Sequence, residues 1–189
     1  MSGETSKGRS GKKGKKNPMD SKELFDELEK KARMVVEEQG EHMPLFILPA
    51  AELDENGARK VGLMPVTGMM NDEEGKQRIV ALVRKIVDEQ GLDEYYSVFD
   101  GWRLTDKKMK ELDEEGIVPQ EQRRPTNYPE SDRCSVCILT HYHKIHGMTM
   151  RMFKYVKKKN GKWSCQKTIE SDGGMYNKFS VWAPRQVEL

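Results

Sequence analysis

The segment CSVCILTHYHKIHG, from Cys134 to Gly147, concentrates the side chains of this chain that could do chemistry. It holds two of the three cysteines and three of the four histidines. Thiolates and imidazoles are ligands that zinc prefers in proteins. Cys134 and Cys137 are three residues apart, however, and in a β-strand an odd separation points two side chains to opposite faces. Cys165 stands alone downstream, without a partner at zinc-finger spacing. The spacing therefore argues against a zinc-ribbon site.

A different set of ligands shares one face if this segment is a strand from Arg133 to Ile145. We predict a two-residue turn at His146-Gly147, which pairs Ile145 with Met148. That register aligns six soft side chains on one sheet face: Cys137, His141, His143, Met150, Met152 and Cys165. Such ligands suit zinc or Cu(I), although methionine and cysteine are also ordinary core residues. The sequence therefore predicts no cofactor, with zinc at Cys137, His141 and His143 as the alternative.

The opposite face of the same predicted strands alternates aromatic and basic side chains. It would carry Arg151, Phe153, Tyr155 and Lys157. Aromatic side chains interleaved with arginine and lysine on an open sheet are a common means of stacking and holding single-stranded nucleic acid. In the alternative interpretation, Phe153 and Tyr155 pack against the helices and Arg151 lies at the rim. Both faces are mixed in composition, so the pattern leaves open which face belongs to the core.

The first eighteen residues form a basic segment with no apolar residue after Met1. Their six lysines and arginines against Glu4 alone give a net charge of +5. Subtracted from the +2 of the whole chain, this leaves −3 for residues 19–189. Such a segment buries too little apolar surface to offset the entropy of ordering, so we predict a disordered tail over residues 1–18. It acts either as a solubilising segment or as an arm for nucleic acid, through Lys12, Lys13, Lys15 and Lys16.

Hydrophobic periodicity predicts the remaining elements. Apolar residues recur every three or four positions in two segments that end at Gly40 and Gly91, which is typical of amphipathic helices with glycine C-caps. Asp20 and Asn71 can cap the starts of these helices. Strands are predicted over Met43–Pro49, Val61–Val66, Tyr95–Trp102, Arg133–Ile145, Met148–Lys159, Lys162–Glu170 and Met175–Trp182.

These elements predict an α+β fold. Glycine-containing turns at His146-Gly147, Asn160-Gly161 and Asp172-Gly173-Gly174 separate the last four strands, which indicates an antiparallel meander. We expect about six or seven strands in a mostly antiparallel sheet, with the two amphipathic helices packed on one face. Residues 19–189 suit one domain of ordinary size. Trp102 ends a strand, where it is either the lip of a pocket or, as we prefer, buried.

Composition and motifs disfavour several classes of protein. The chain has no apolar run long enough to span a membrane, and no apolar segment follows the basic N-terminus as in a secretory signal. Three cysteines are an odd count and too few for a disulfide scaffold, so we expect a reducing cytoplasm. The motifs GxxxxGK[ST], GxGxxG, HExxH and GxSxG do not occur. We therefore expect a protein that neither binds membranes nor catalyses a reaction.

Two short motifs resemble those of small uncharacterised bacterial and phage α+β proteins. Those proteins carry an acidic-small-Trp signature at a strand end and Arg-x-Glu in a later strand. The matching residues here are Asp100-Gly101-Trp102 and Arg133-Cys134-Ser135, although Ser135 replaces the acid of the second motif. The resemblance covers residues 21–182 and implies a prokaryotic or phage origin without implying an activity.

Taken together, the tail and the aromatic-basic face favour a non-enzymatic accessory protein that associates with nucleic acid or a nucleoprotein complex. The metal-binding protein described above is one alternative. The other is a docking protein that binds a protein partner through the loop from Arg123 to Pro129. That loop belongs to the long proline-punctuated stretch from Ile117 to Asp132, and loops of such length are often functional or mobile.

Overall fold

The computed structural model describes residues 20–53, 55, 59–70, 72–116 and 123–173. Its elements follow in the order α1 (Ser21–Gln39), β1 (Leu45–Leu53), β2 (Arg59–Pro65), α2 (Glu73–Gln90), β3 (Glu94–Leu104), α3 (Asp106–Glu114), two short 3₁₀ helices (Pro125–Asn127 and Glu130–Asp132), β4 (Arg133–His143), β5 (Gly147–Lys157), β6 (Trp163–Cys165) and β7 (Ile169–Gly173). The predicted tail and the strand expected over Met175–Trp182 lie outside the described residues. Across the described ranges, no helix is sufficiently long and apolar to cross a lipid bilayer.

The seven strands form one antiparallel sheet. Its order is β2-β1-β3-β4-β5-β6, and β7 pairs with β5 as well. β6 pairs with the end of β5 and β7 with its beginning, so the two short strands share the outer edge of β5 in succession. β6 and β7 replace the single strand predicted over Lys162–Glu170. Asp172 and Gly173, which we expected to form a turn, belong to β7 instead. The predicted α+β class with a mostly antiparallel sheet is confirmed.

Both long helices are capped by the kinds of residue that the sequence predicts. The Asp20 carboxylate accepts a hydrogen bond from the backbone three residues further on and completes a capping box for α1. Asp72 caps α2 in the same way, one residue after the predicted cap Asn71. Gly40 and Gly91 end the helices with φ of +85° and +61°, a left-handed conformation that glycine adopts without steric cost.

The two helices pack against opposite faces of the sheet. The α1 helix buries its apolar stripe against a cluster that includes Ile47, Tyr96, Leu139 and Phe153. The α2 helix is buried against Phe46, Leu48, Tyr95 and Tyr142. Tyr95 and Tyr96 belong to different clusters because successive side chains of a strand point to opposite faces. The expectation that both helices lie on one face is therefore wrong; below, the face under α1 is called the α1 face.

The β4–β5 hairpin has a different register from the predicted one. β4 ends at His143 and β5 begins at Gly147, and these two residues pair, so the loop has three residues rather than two. Gly147 has φ +79°, which fits a three-residue hairpin loop. Cys137 consequently pairs with Phe153 instead of Val156. Because this shift is odd, every β5 side chain lies on the face opposite to the expected one.

The next turn lies at Asn160-Gly161 as expected, but it is a three-residue loop over residues 159–161 rather than a two-residue turn. Gly161 has φ +81° and joins β5 to β6 through a tight turn. The turn pairs Tyr155 with Cys165, so the predicted pairing of Val156 with Cys165 is wrong by one residue. The strand predicted over Met43–Pro49 is β1, and it lies inside the sheet between β2 and β3, although its two prolines favour a position near an edge.

Candidate functional site

The structure buries three of the four sheet residues predicted to hold nucleic acid. Arg151 is 8 % exposed, Phe153 is fully buried and Tyr155 is 6 % exposed, all on the α1 face. The Arg151 guanidinium forms ion pairs with three carboxylates, from Asp26, Glu29 and Glu170. These three residues therefore belong to the core and do not present an open stacking surface. Lys157, the fourth, is exposed.

The predicted soft-ligand face does not form. The register shift moves Met150 and Met152 to the face opposite Cys137. Cys137 is fully buried under α1, and burial together with the Asp100 charge raises the pKa of its thiol. His141 bonds to Glu94 instead, and His143 Nδ1 accepts hydrogen bonds from the loop backbone. In the part of the chain that the structure describes, no three His, Cys, Asp or Glu side chains are arranged to hold a metal ion.

A buried carboxylate organises one end of the α1 face. Glu94, at the start of β3, is 4 % exposed. Its two oxygens contact the Arg59 guanidinium, the Tyr96 hydroxyl at 2.9 Å and His141 Nε2 at 2.8 Å. These residues, Arg59, Glu94, Tyr96 and His141, are called the Glu94 cluster. It joins β2, β3 and β4, and the Tyr96 hydroxyl also lies 3.2 Å from the Ser21 carbonyl of α1.

Hydrogen bonds keep the buried Glu94 carboxyl ionised. Burial alone would raise the pKa of the Glu94 carboxyl and is the largest single influence, but the hydrogen bonds from His141, Ser21, Arg59 and Tyr96 together hold the pKa well below its usual range. Burial and the Glu94 charge raise the pKa of the Tyr96 phenol. The cluster therefore consists of a permanent carboxylate and its donors. No local sequence pattern indicates this cluster, because Arg59 and His141 are 35 and 47 residues from Glu94 in the chain.

The other end of the sheet carries exposed tryptophan and basic residues. β3 and β5 end there, and β4 and β6 begin there. The Arg133 guanidinium lies 4.8 Å from the ring centroid of Trp102, and Lys157 Nζ lies 5.7 Å from that of Trp163. These four residues, Trp102, Arg133, Lys157 and Trp163, are called the tryptophan end. Each pair joins a cation to an aromatic ring, an interaction that survives partial exposure to water.

The two tryptophans differ in how far α1 covers them. Trp163 packs against the C-terminus of α1, where a Cβ on Gly40 would lie 2.2 Å from the indole Nε1. Trp102 is 57 % exposed, so the preferred expectation of burial is wrong and the alternative, that it forms the lip of a pocket, agrees with the structure. The ring of Trp102 is therefore held by Arg133 and remains accessible.

A lysine-rich turn adjoins the tryptophan end. Its basic residues, called the lysine turn, are Lys157, Lys158, Lys159 and Lys162, and all four are exposed. No carboxylate of the described residues forms an ion pair with any of them, whereas nearby Lys154 pairs with Asp106 at 2.6 Å. The turn is therefore a cluster of positive charge without compensation from the described chain.

A pocket of about 690 Å³ opens beside Trp102 on the face opposite α1. Its lining is mostly apolar, with two arginines, and consists of Trp102, Arg103, Leu104, Met109, Arg123, Pro125, Val136, Ile138 and Met152. Arg123 and Pro125 come from the loop that the sequence analysis proposed as a docking segment. That loop is anchored to α3, because Arg123 pairs with Asp113 at 2.8 Å. Trp102 thus borders both the sheet end and the pocket.

Buried polar atoms without partners collect in the same region. Within the described residues, four buried side-chain atoms lack a hydrogen bond of regular geometry, and three of them belong to Asp100, Arg103 and Arg133. Asp100 and Arg103 lie near the end of β3, on either side of Trp102 in the chain. Burial, the largest influence, raises the pKa of the Asp100 carboxyl. Unpaired buried groups are uncommon in folded proteins and point to binding sites or bound water.

Comparisons with known proteins add no assignment. No protein-family model, curated protein or solved structure matches the chain. The resemblance to small bacterial and phage proteins therefore remains a prediction, and the functional argument rests on the geometry of the site.

Proposed function

We propose that the protein is a non-enzymatic accessory protein of the cytoplasm, which holds single-stranded nucleic acid at the tryptophan end. The observation that carries this proposal is that an accessible Trp102 lies at the same end of the sheet as a lysine turn, two strands away, that no described carboxylate neutralises. Base stacking on aromatic rings and contacts of cations with phosphates are the two components by which proteins hold single strands without reading their sequence.

The stacking component has a defined geometry. Arg133 lies over the Trp102 ring, so a base on the exposed side of the ring would complete a stack of base, indole and guanidinium. Arg133 also holds the ring in place before the ligand arrives. This pre-organisation lowers the entropy lost on binding.

The electrostatic component extends beyond the described residues. The lysine turn supplies phosphate contacts at the end of β5, and Lys12, Lys13, Lys15 and Lys16 of the predicted tail would add more. The folded remainder is mildly acidic, so these two basic segments determine where a polyanion is attracted. The three cysteines are free thiols, which is in keeping with the reducing compartment that we propose.

Fluorescence anisotropy with a labelled oligothymidylate of about twelve nucleotides tests this proposal. We expect Trp102→Ala to weaken binding about tenfold, because stacking one base on an aromatic side chain contributes roughly 1–3 kcal/mol. Leu63→Ala is the matched control, since Leu63 is a 64 % exposed apolar residue on β2, at the opposite edge of the sheet. The proposal fails if the unaltered protein does not bind at low salt, or if the two variants bind equally well.

A further inference from the structure

We propose that the pocket beside Trp102 receives one unstacked base of the bound strand and prefers guanine. This inference rests on the proposed function, because it assumes that a single strand lies at the tryptophan end. Trp102 lines the pocket and is also the accessible ring of the sheet end. The Trp102 side chain shares the strand alternation of Tyr96 and so belongs to the α1 face, whereas the pocket opens on the other face; a strand that stacks one base on this ring would reach the pocket around the end of β3.

The size and walls of the pocket suit a planar aromatic ligand. Its volume of about 690 Å³ lies within the range of ordinary small-ligand sites. Met109 and Pro125 form one wall, and Ile138 and Met152 of the sheet form another. Proteins that recognise single strands typically hold an unstacked base between apolar or aromatic side chains and read its hydrogen-bonding edges.

The charged side chains that line this pocket can only donate hydrogen bonds. They are the guanidinium groups of Arg103 and Arg123. Asp106 lies 3.0 Å from Arg103 and Asp113 lies 2.8 Å from Arg123. These carboxylates are 71 % and 61 % exposed, so they hold the arginines from the solvent side. Each guanidinium has five N–H donors, so one carboxylate contact leaves others available.

Arg103 carries the most specific indication of a ligand. Its Nη1 atom is buried and, despite its proximity to Asp106, makes no hydrogen bond of regular geometry within the described chain. Nη1 lies 3.0 Å from Asp106 Oδ1 and is paired with it in charge, but the contact lacks regular hydrogen-bond geometry, so its N–H groups can still donate to a ligand or water.

Guanine is the base that matches such a set of donors. Its O6 and N7 atoms are adjacent acceptors, to which a guanidinium binds in a bidentate manner. On the corresponding edge, adenine places an amino group beside N7, cytosine presents its C4 amino group, and thymine offers O4 alone. An unstacked cytosine also has adjacent N3 and O2 acceptors on its Watson–Crick edge, so the proposal places the N7 edge of the base against the arginines. The arrangement thus favours guanine through two hydrogen bonds.

Competition between oligonucleotides tests the preference. An oligothymidylate is compared with versions that carry one central guanine, adenine or cytosine, each competing against the same labelled strand. We expect the guanine strand to bind about tenfold more tightly than the other three. Replacing that guanine by 7-deazaguanine removes the N7 acceptor and should abolish most of the gain, whereas inosine retains O6 and N7 and should preserve it.

Variants of the two arginines connect the preference to the pocket. Arg103→Gln and Arg123→Gln should each reduce the ratio of guanine-strand affinity to oligothymidylate affinity to about twofold, and the readout is this ratio. Equal binding of all four strands, or a preference for another base, would overturn the inference and leave the proposed function intact. If no strand binds, the proposed function itself fails. The 7-deazaguanine comparison needs no substitution, so it remains decisive if a variant does not fold.

Discussion

The two ends of β3 and β4 carry their charges in opposite ways. At one end, the Glu94 carboxylate is buried and is hydrogen-bonded to Arg59, Tyr96 and His141. At the other end, Arg133 lies over the ring of Trp102, and the uncompensated lysines of the lysine turn follow β5 at the same end of the sheet. A charge that is removed from water must be paired to be tolerated. A hydrated cation beside an aromatic ring has no such requirement, so it remains available to a ligand. The first end therefore stabilises the fold, whereas the second end is available to bind a ligand.

The largest expected effect is on stability, from removal of the Glu94 charge. Glu94→Gln leaves the partly buried Arg59 without its carboxylate, and breaking a buried ion pair typically costs about 3–5 kcal/mol. Urea denaturation measures this loss. Asp93→Asn is the control, because Asp93 is an exposed neighbour whose nearest cation, Lys144 Nζ, lies 3.9 Å away, and its loss should be below about 0.5 kcal/mol. Equal losses in the two variants would show that the ends do not differ as described.

Because the Glu94 carboxyl is ionised in the folded protein, we expect the free energy of unfolding to fall in acid. The pKa of Glu94 is lowered in the folded protein and has its ordinary value of 4.5 when unfolded, so the folded state binds fewer protons. Its stabilising contribution is therefore complete well above pH 4.5 and is lost as the pH falls below that value. We expect the difference in unfolding free energy between the protein and Glu94→Gln to shrink by about 2 kcal/mol between pH 6 and pH 3.

Comparing the unaltered protein with Glu94→Gln at each pH also controls for the titration of the other acidic side chains. The raised pKa of Asp100 acts with the opposite sign, since it adds stability as the pH falls, but it contributes to both proteins and cancels. A difference that stays constant over this pH range would contradict the assignment of Glu94 as a permanent carboxylate.

The smallest expected effect concerns the lysine turn. Lys158→Gln combined with Lys159→Gln should reduce the slope of log affinity against log salt by about 1.4, since each phosphate contact to a single strand contributes about 0.7. The control pair is Lys30→Gln with Lys85→Gln, which removes the same charge from α1 and α2. Titration of oligothymidylate binding at several salt concentrations gives both slopes. Equal changes in the two double variants would indicate attraction by net charge alone, without a located contact.

The fold class could be predicted from the sequence because it depends on local patterns. The apolar stripes and the caps at Asp20 and Gly40 are contained in short segments, and so is the Asn160-Gly161 turn. The pairing register of the β4–β5 hairpin could not be predicted from such local patterns. A three-residue loop over residues 144–146 and a two-residue turn at His146-Gly147 fall within the same four positions, yet their pairings differ by three residues, which moves Phe153 and Arg151 from one face to the other.

The candidate site was only partly predictable, for a different reason. Lys157 was identified correctly as exposed, because it lies in a charged turn. Trp102 was expected to be buried since large aromatic residues usually are, and its exposure depends on where α1 ends on the sheet. The Glu94 cluster requires Arg59 and His141, which are 35 and 47 residues from Glu94 in the chain. No local pattern records such contacts.

The packing of α1 has a consequence for the order of folding. This helix precedes every strand in the chain, yet Phe25 and Val36 are buried with Phe153 and Tyr155 of β5, and Gly40 is covered by Trp163 of β6. During synthesis, the apolar stripe of α1 must stay uncovered until more than one hundred further residues have left the ribosome. The α2 helix is flanked in sequence by β1 and β3, which supply most of its partners. Contacts between distant segments form slowly, so we expect α2 and its strands to assemble first and closure of α1 over the sheet to complete folding.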